Sequence, residues 1–252
     1  MIVVVVVACY TVPETGRSSF NLIDQNTEMK LGFDAFQDLK RKEKISTDPK
    51  YNAQLQRVGK RISAVANLPN AQWEFVVFDS NVPNAFCLPG GKVGFYTAIM
   101  PICGDDDGVA AVMGHEVAHA VARHGGERMT DQLLVAAGGV ALSEFMKSKP
   151  QQTASLAMMA YGAGATLGAV LPHSRMQESE ADHIGIIYMA KAGYDPNAAV
   201  GFWQRFAATK QGGRTPEFLS THPVDETRIA NLKKWLPEAM PYYEAAKASG
   251  VR

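Results

Sequence analysis

The sequence predicts an α+β domain, mostly helical, with one small sheet, and three observations lead there. Long segments from residue 27 onward repeat apolar side chains at helical spacing. Strand patterning inside the domain is confined to 73–97, as Trp73-Glu-Phe-Val-Val-Phe78 and a strand–turn–strand unit from Asn84 to Thr97. The 252 residues, 46% hydrophobic and 20% charged, suit a single globular domain with a sizeable core. Twenty-five basic and twenty-five acidic residues cancel without any long basic run, so nucleic-acid binding has no electrostatic support.

Taken in order, the chain begins with the apolar run Ile2-Val-Val-Val-Val-Val7-Ala8-Cys9, followed by the polar stretch Thr11–Ser19. The run is too short to span a bilayer, which takes roughly 20 residues. It matches the end of a bacterial lipoprotein signal, where a Cys after a small residue is acylated, although the usual basic start is missing. The same residues also suit a buried β-strand. On the lipoprotein reading, residues 1–19 are a signal and tether and 20–252 form the domain. A lipid on Cys9 then anchors it in a bacterial cell envelope, and Tyr10 rather than Asp favours the outer membrane. Cys87 and Cys103 either pair there or remain buried thiols.

Helical spacing runs through 27–66 with a break near Asp48-Pro49. Asp105 to Asp107 then cap a helix over 108–125. Its last turn carries Arg123 and His124, and Gly125-Gly126 suit a left-handed C-cap. Two small-residue-rich apolar stretches follow, 132–146 and 154–171, of which the second suits a core helix or one resting on a membrane better than a true span. Helices over 175–192, 196–210 and 223–248 complete the chain.

The chemistry sits in His115-Glu-Val-Ala-His119. Residues four apart share one helix face, so both imidazoles can bind one metal ion, and Glu116 can take a proton from a water beside it. Burying two His and a Glu among Val112, Met113, Val117 and Val121 is costly unless something satisfies them. A catalytic site needs a third protein ligand. Glu178, Glu180, Asp182, His124, His173, His183 and His222 are the candidates. Glu178 and Asp182 lie four apart on one face, so one can bind metal while the other accepts a ligand N–H. Glu180 lies off that face and is assigned to the surface.

His115–His119 followed some sixty positions later by Glu178-Ser-Glu-Ala-Asp182 resembles the gluzincin metallopeptidases of the family that contains the CAAX prenyl protease, HtpX and bacterial envelope proteases. Asn84–Thr97 and Thr221-His222-Pro223 with Arg228 resemble further motifs of that family, in its order, over about residues 12–235. The resemblance implies a zincin-like fold with the small sheet beside the metal helix, one Zn²⁺ held by His115, His119 and Glu178, and Asp182 as the outer partner. It also implies that His222 approaches the metal and that Arg228 helps stabilise the tetrahedral intermediate; the plainer reading is that His222-Pro223 caps the last helix. His124, His173 and His183 match no ligand position.

The expected function is a zinc endopeptidase with Glu116 as general base, removing misfolded or misassembled envelope proteins. Substrates would bind as extended strands against the strand near 92–97. Two other readings stay open. Peptide deformylase uses the same pentapeptide with an upstream Cys ligand, for which Cys87 and Cys103 are available. A lipid-anchored assembly factor or chaperone would hold a structural zinc. No tetratricopeptide-type tail is expected after residue 252.

Overall fold

A computed structural model describes residues 8–209, 218, 222–223 and 226–250. The chain opens with an antiparallel hairpin, β1 (Ala8–Thr11) against β2 (Ser18–Asn21), in which Cys9 faces Phe20 across the ladder. The boundary expected at 19/20 therefore falls inside β2, and Ile2–Val7 lie outside the described residues. Two helices follow, α1 (Gln25–Lys42) and α2 (Pro49–Val65). Asp24 and Asp48 cap them by accepting first-turn backbone N–H groups, and Pro49 at the first helical position loses no hydrogen bond.

The predicted strands form one three-stranded sheet in the order β3 (Glu74–Phe78), β5 (Lys92–Tyr96), β4 (Ala85–Leu88). β3 is parallel to β5, and β4 returns antiparallel to it through Pro89-Gly90-Gly91. The strand expected to receive substrate is thus the central one. Both its edges are already hydrogen-bonded, and the strand beside α4 with an edge to offer is β4.

After a short helix α3 (Met100–Cys103), helix α4 (Asp106–Val121) runs through the middle of the molecule with every residue from Gly108 to Val121 buried. Asp105 accepts from Gly108 N at 2.9 Å, and Asp106 and Asp107 place negative charge on the first turn. α4 packs against α2, β4, α7 (Leu171–Lys191) and α8 (Asn197–Ala208), and α9 (Glu226–Ala248) closes over α7 and α8. Val112, Met113, Val117, Ile184, Tyr188 and Trp203 are among the buried side chains of this core. The expected glycine cap is corrected. Arg123 itself takes the left-handed conformation (φ 57°), and Gly125 and Gly126 lie inside the next helix, α5 (His124–Met146).

α5 and α6 (Gln151–Ala165) form an antiparallel arm, pinned where Tyr161 donates to the Val135 carbonyl. The reading of 154–171 as a core helix fails. Among the described residues α6 buries none, and Leu134, Val140, Leu156, Met159 and Leu167 stand half or more exposed. A π-helical turn, Thr166–Val170, joins α6 to α7. Gln151–Lys191 is thereby one continuous helix of 41 residues, long and apolar enough by composition to cross a membrane, with none of its apolar window buried. Cys9, Cys87 and Cys103 are all free thiols. Burial pushes Cys87 and Cys103 far above the usual thiol range.

Candidate metal centre

His115 and His119 project from successive turns of α4 toward α7, and the two helices cross at a point where both carry glycine. A β-carbon on Gly114 would sit 2.6 Å from the Gly185 carbonyl oxygen, and one on Gly185 would sit 2.8 Å from the His115 nitrogen. Only hydrogen in both places allows this approach, and it sets Glu178 and Asp182 of α7 opposite the two imidazoles.

The structure brings His115, His119, Glu178 and His222 together, with one donor atom of each within 4.8 Å of every other. The two His Nε2 atoms are 3.1 Å apart, and Glu178 reaches them at 3.4 and 3.3 Å. His222 Nδ1 is 3.1 Å from His115 Nε2 and 2.7 Å from Glu178. Tetrahedral Zn²⁺ with bonds of roughly 2.0–2.1 Å spaces its ligand atoms about 3.3 Å apart, so the donor set fits the ion. Two imidazole lone pairs facing one another and a carboxylate need a cation between them. Glu178 Oε1 and Glu116 Oε1 are also buried without a hydrogen bond among the described residues. Cys87 and Cys103 are not in the cluster, so the Cys-ligand alternative finds no support among those residues.

The surroundings orient each group. Asp182 Oδ1 lies 2.8 Å from His115 Nδ1 and accepts from Arg228 Nη2 at 2.7 Å. A proton held on Nδ1 by Asp182 turns the Nε2 lone pair of His115 toward the cluster. Arg228 also lies over the Trp203 ring at 3.4 Å and donates to the Pro223 carbonyl. Burial pushes His115 down, but Asp182 and Glu178 overcome it and raise its pKa to about 9. For His119 burial prevails over Glu178 and holds the ring well below its ordinary value. Burial opposes Glu178 too, yet His119, His115 and His222 keep its carboxyl far below the carboxylate range. Glu116 differs: burial pushes its carboxyl up, only partly offset by His222 and His115. A cleft of about 490 Å³ opens over Glu178, Asp182 and Arg228, lined also by Arg175, Asn231 and Trp235.

Two expectations are corrected at the site. Glu180 is not a surface group but 8% exposed, and it binds His124, Arg17 and Thr15. His124, left outside the ligand pattern, lies fully buried against His119. His173 and His183 pair with Asp131 and Glu238, away from the cluster. His222 stands in the cluster itself; Thr221 and residues 224–225, which separate it from the last described helix at Glu226, lie outside the described residues.

A mostly helical domain with a small sheet beside a buried His-Glu-x-x-His helix and a Glu supplied by a crossing helix defines a zincin-type zinc metallopeptidase. The profile of Peptidase family M48 matches residues 49–236, and the chain belongs to that family. It is 37% identical over 232 residues to the mitochondrial metalloendopeptidase OMA1 of Schizosaccharomyces pombe, covering 90% of this chain and 66% of that protein. The Saccharomyces cerevisiae OMA1 matches at 37% over 197 residues, 73% of this chain and 53% of its own length. The Escherichia coli beta-barrel assembly-enhancing protease matches at 27% over 236 residues, 92% of this chain and 48% of its length. The chain thus spans about half to two thirds of these relatives. The bacterial outer-membrane address read from Cys9 is overturned, because the relatives at 37% identity are mitochondrial and the bacterial one stands lower, at 27%.

Proposed function

We propose that this protein is a zinc endopeptidase working at a membrane surface, cutting extended segments of misfolded or misassembled proteins. The observation that carries the reading is Glu116: a buried carboxylate with an oxygen that takes no hydrogen bond among the described residues, on the turn between two imidazoles that share a cluster with Glu178. A structural zinc site would have no use for such a group, whereas hydrolysis requires a base there.

His115, His119 and Glu178 hold the metal. When bound, Zn²⁺ supplies a Lewis acid that polarises a peptide carbonyl and acidifies water. Glu116 takes the proton of the attacking water and passes it to the leaving amine. Burial pushes its carboxyl up, which makes the carboxylate a stronger base than an exposed Glu. Arg228 is held by Asp182 and Trp203 with its charge beside His115, where it can stabilise a developing oxyanion. His222, whose Nδ1 lies beside His115 and Glu178, would add a fourth donor to the three that hold the metal.

Substrate is assigned to the β4 edge, Ala85–Leu88, which packs on α4. Pairing through main-chain groups gives affinity with little sequence preference, as removal of misfolded chains requires. Membrane contact is assigned to α6 and the turn that follows it, since Pro150 to Ser174 carry no Asp, Glu, Lys or Arg. Cys9, by contrast, lies in the paired strand β1. The relatives from fungi, Arabidopsis thaliana and Bos taurus support a mitochondrial address.

Glu116→Gln tests the assignment. Cleavage of unfolded casein should fall by about 10²–10⁴-fold with about one zinc per chain retained. Wild-type turnover in that variant would remove Glu116 as the base.

A further inference from the structure

His119 and His124 are five residues apart, and on an uninterrupted helix their side chains would point about 140° apart around the axis. Instead they meet, Nδ1 to Nδ1, at 2.8 Å. The break between α4 and α5 brings this about. Arg123 adopts the left-handed conformation and swings His124 back beneath His119. It is held there by Glu28 Oε1 at 2.6 Å and the Ile23 carbonyl at 2.7 Å.

His124 is 0% exposed, and its other nitrogen, Nε2, lies 2.9 Å from Glu180 Oε2. Glu180 also accepts from Arg17 Nε at 2.7 Å and from the Thr15 hydroxyl. Arg17 is fixed in turn by Glu127 at 2.6 Å. A carboxylate only accepts, so Nε2 of His124 carries the ring proton and its Nδ1 is left an acceptor. Nδ1 of His119 must then donate to it. That leaves the Nε2 lone pair of His119 facing His115 and Glu178.

We propose that His124 is a positioning residue of the metal centre, and that the β1–β2 hairpin, through Thr15 and Arg17 on Glu180, is part of that centre. The proposal rests on the reading of His119 as a zinc ligand. Asp182 orients His115 directly, whereas His119 is oriented by a carboxylate acting through an interposed imidazole. The hairpin's two contributing residues lie outside the matched stretch 49–236, so the relay ties an N-terminal element to the shared catalytic body.

The experiment uses the full chain and measures zinc affinity by competition with a chromophoric chelator, together with melting of the metal-free protein. His119→Ala tests the underlying reading and should abolish stoichiometric zinc; retention of zinc there would overturn that reading separately. His124→Leu keeps volume but removes both hydrogen bonds, and should weaken zinc about 10- to 100-fold. His124→Gln can donate to Glu180 and accept from His119 at once, and should return affinity to within a few-fold of wild type. Arg17→Met, which changes no residue of α4, α5 or α7 but removes the guanidinium from Glu180 and Glu127, should weaken zinc by a smaller factor. Unchanged affinity in His124→Leu overturns the proposal. So does a His124→Gln protein that regains wild-type melting but not zinc affinity, because packing alone would then explain the residue.

Discussion

The crossing of α4 and α7 permits one perturbation to be worked through from distances alone. A methyl group at Gly114 would stand 2.6 Å from the Gly185 carbonyl oxygen, whereas ordinary contact begins at 3.4 Å. The obstacle is backbone, not the end of a flexible side chain, so relief requires the helices to part by about 0.8 Å. Forcing extra volume into such packing costs roughly 1–3 kcal/mol. The chemical penalty should be larger, because His115 rides on one helix and Glu178 with Asp182 on the other. A misplacement of about 1 Å at a reacting centre costs on the order of 10²-fold in rate. Gly114→Ala should therefore lower chemical-denaturation stability by 1–3 kcal/mol, by the same overpacking range of about that size, and reduce kcat/KM on unfolded casein about 100-fold. Gly164→Ala in α6, where a β-carbon meets nothing within 4 Å, is the control. It should gain up to about 1 kcal/mol from helix propensity. A Gly114→Ala protein with wild-type stability and kcat/KM would refute the claim that this crossing sets the spacing of the site.

His222→Ala should keep about one zinc per chain while changing kcat, since three ligands remain; loss of the metal would make His222 an essential ligand instead. Because burial raises the Glu116 pKa, this carboxylate should be protonated, and so lost as a base, at a higher pH than an exposed Glu. With zinc in excess, kcat/KM should fall as pH drops through that raised value, and an acid limb at or below about 4.3 would contradict it.

How far the site could be read in advance depended on where the information resides. His115, Glu116 and His119 are local, within five consecutive residues of one helix, and periodicity suffices for them. Glu178 and Asp182 needed the family resemblance, because spacing shows that they share a face but not which helix they oppose. Glu180 was misassigned because the face argument presumes that one side of α7 meets solvent. α7 is instead covered nearly all round, by α4 on one side, α9 on another and the N-terminal hairpin through Thr15 and Arg17. His124 was missed because its contact depends on a left-handed Arg123, a conformation that sequence rules award to the glycines two and three places later. For the apolar arm the core and membrane-resting alternatives stayed open, because composition reports only what a segment tolerates, not whether a partner exists to cover it; its exposure removes the first. The sheet was legible to its turn, but not its strand order, and that order moves the substrate edge from β5 to β4.

The π turn at Thr166–Val170 has a geometric consequence for the arm. Such turns hold one residue more than regular α-helix, and each residue advances the helix by about 100°. The turn therefore sets the rotational phase between Leu156 and Met159 on the outer part of the rod and Glu178 and Asp182 further along it. Deleting a single residue there would leave both ends helical and both sequences intact. It would also rotate Leu156 and Met159 by about 100°, more than a quarter turn, relative to the carboxylates on the same rod.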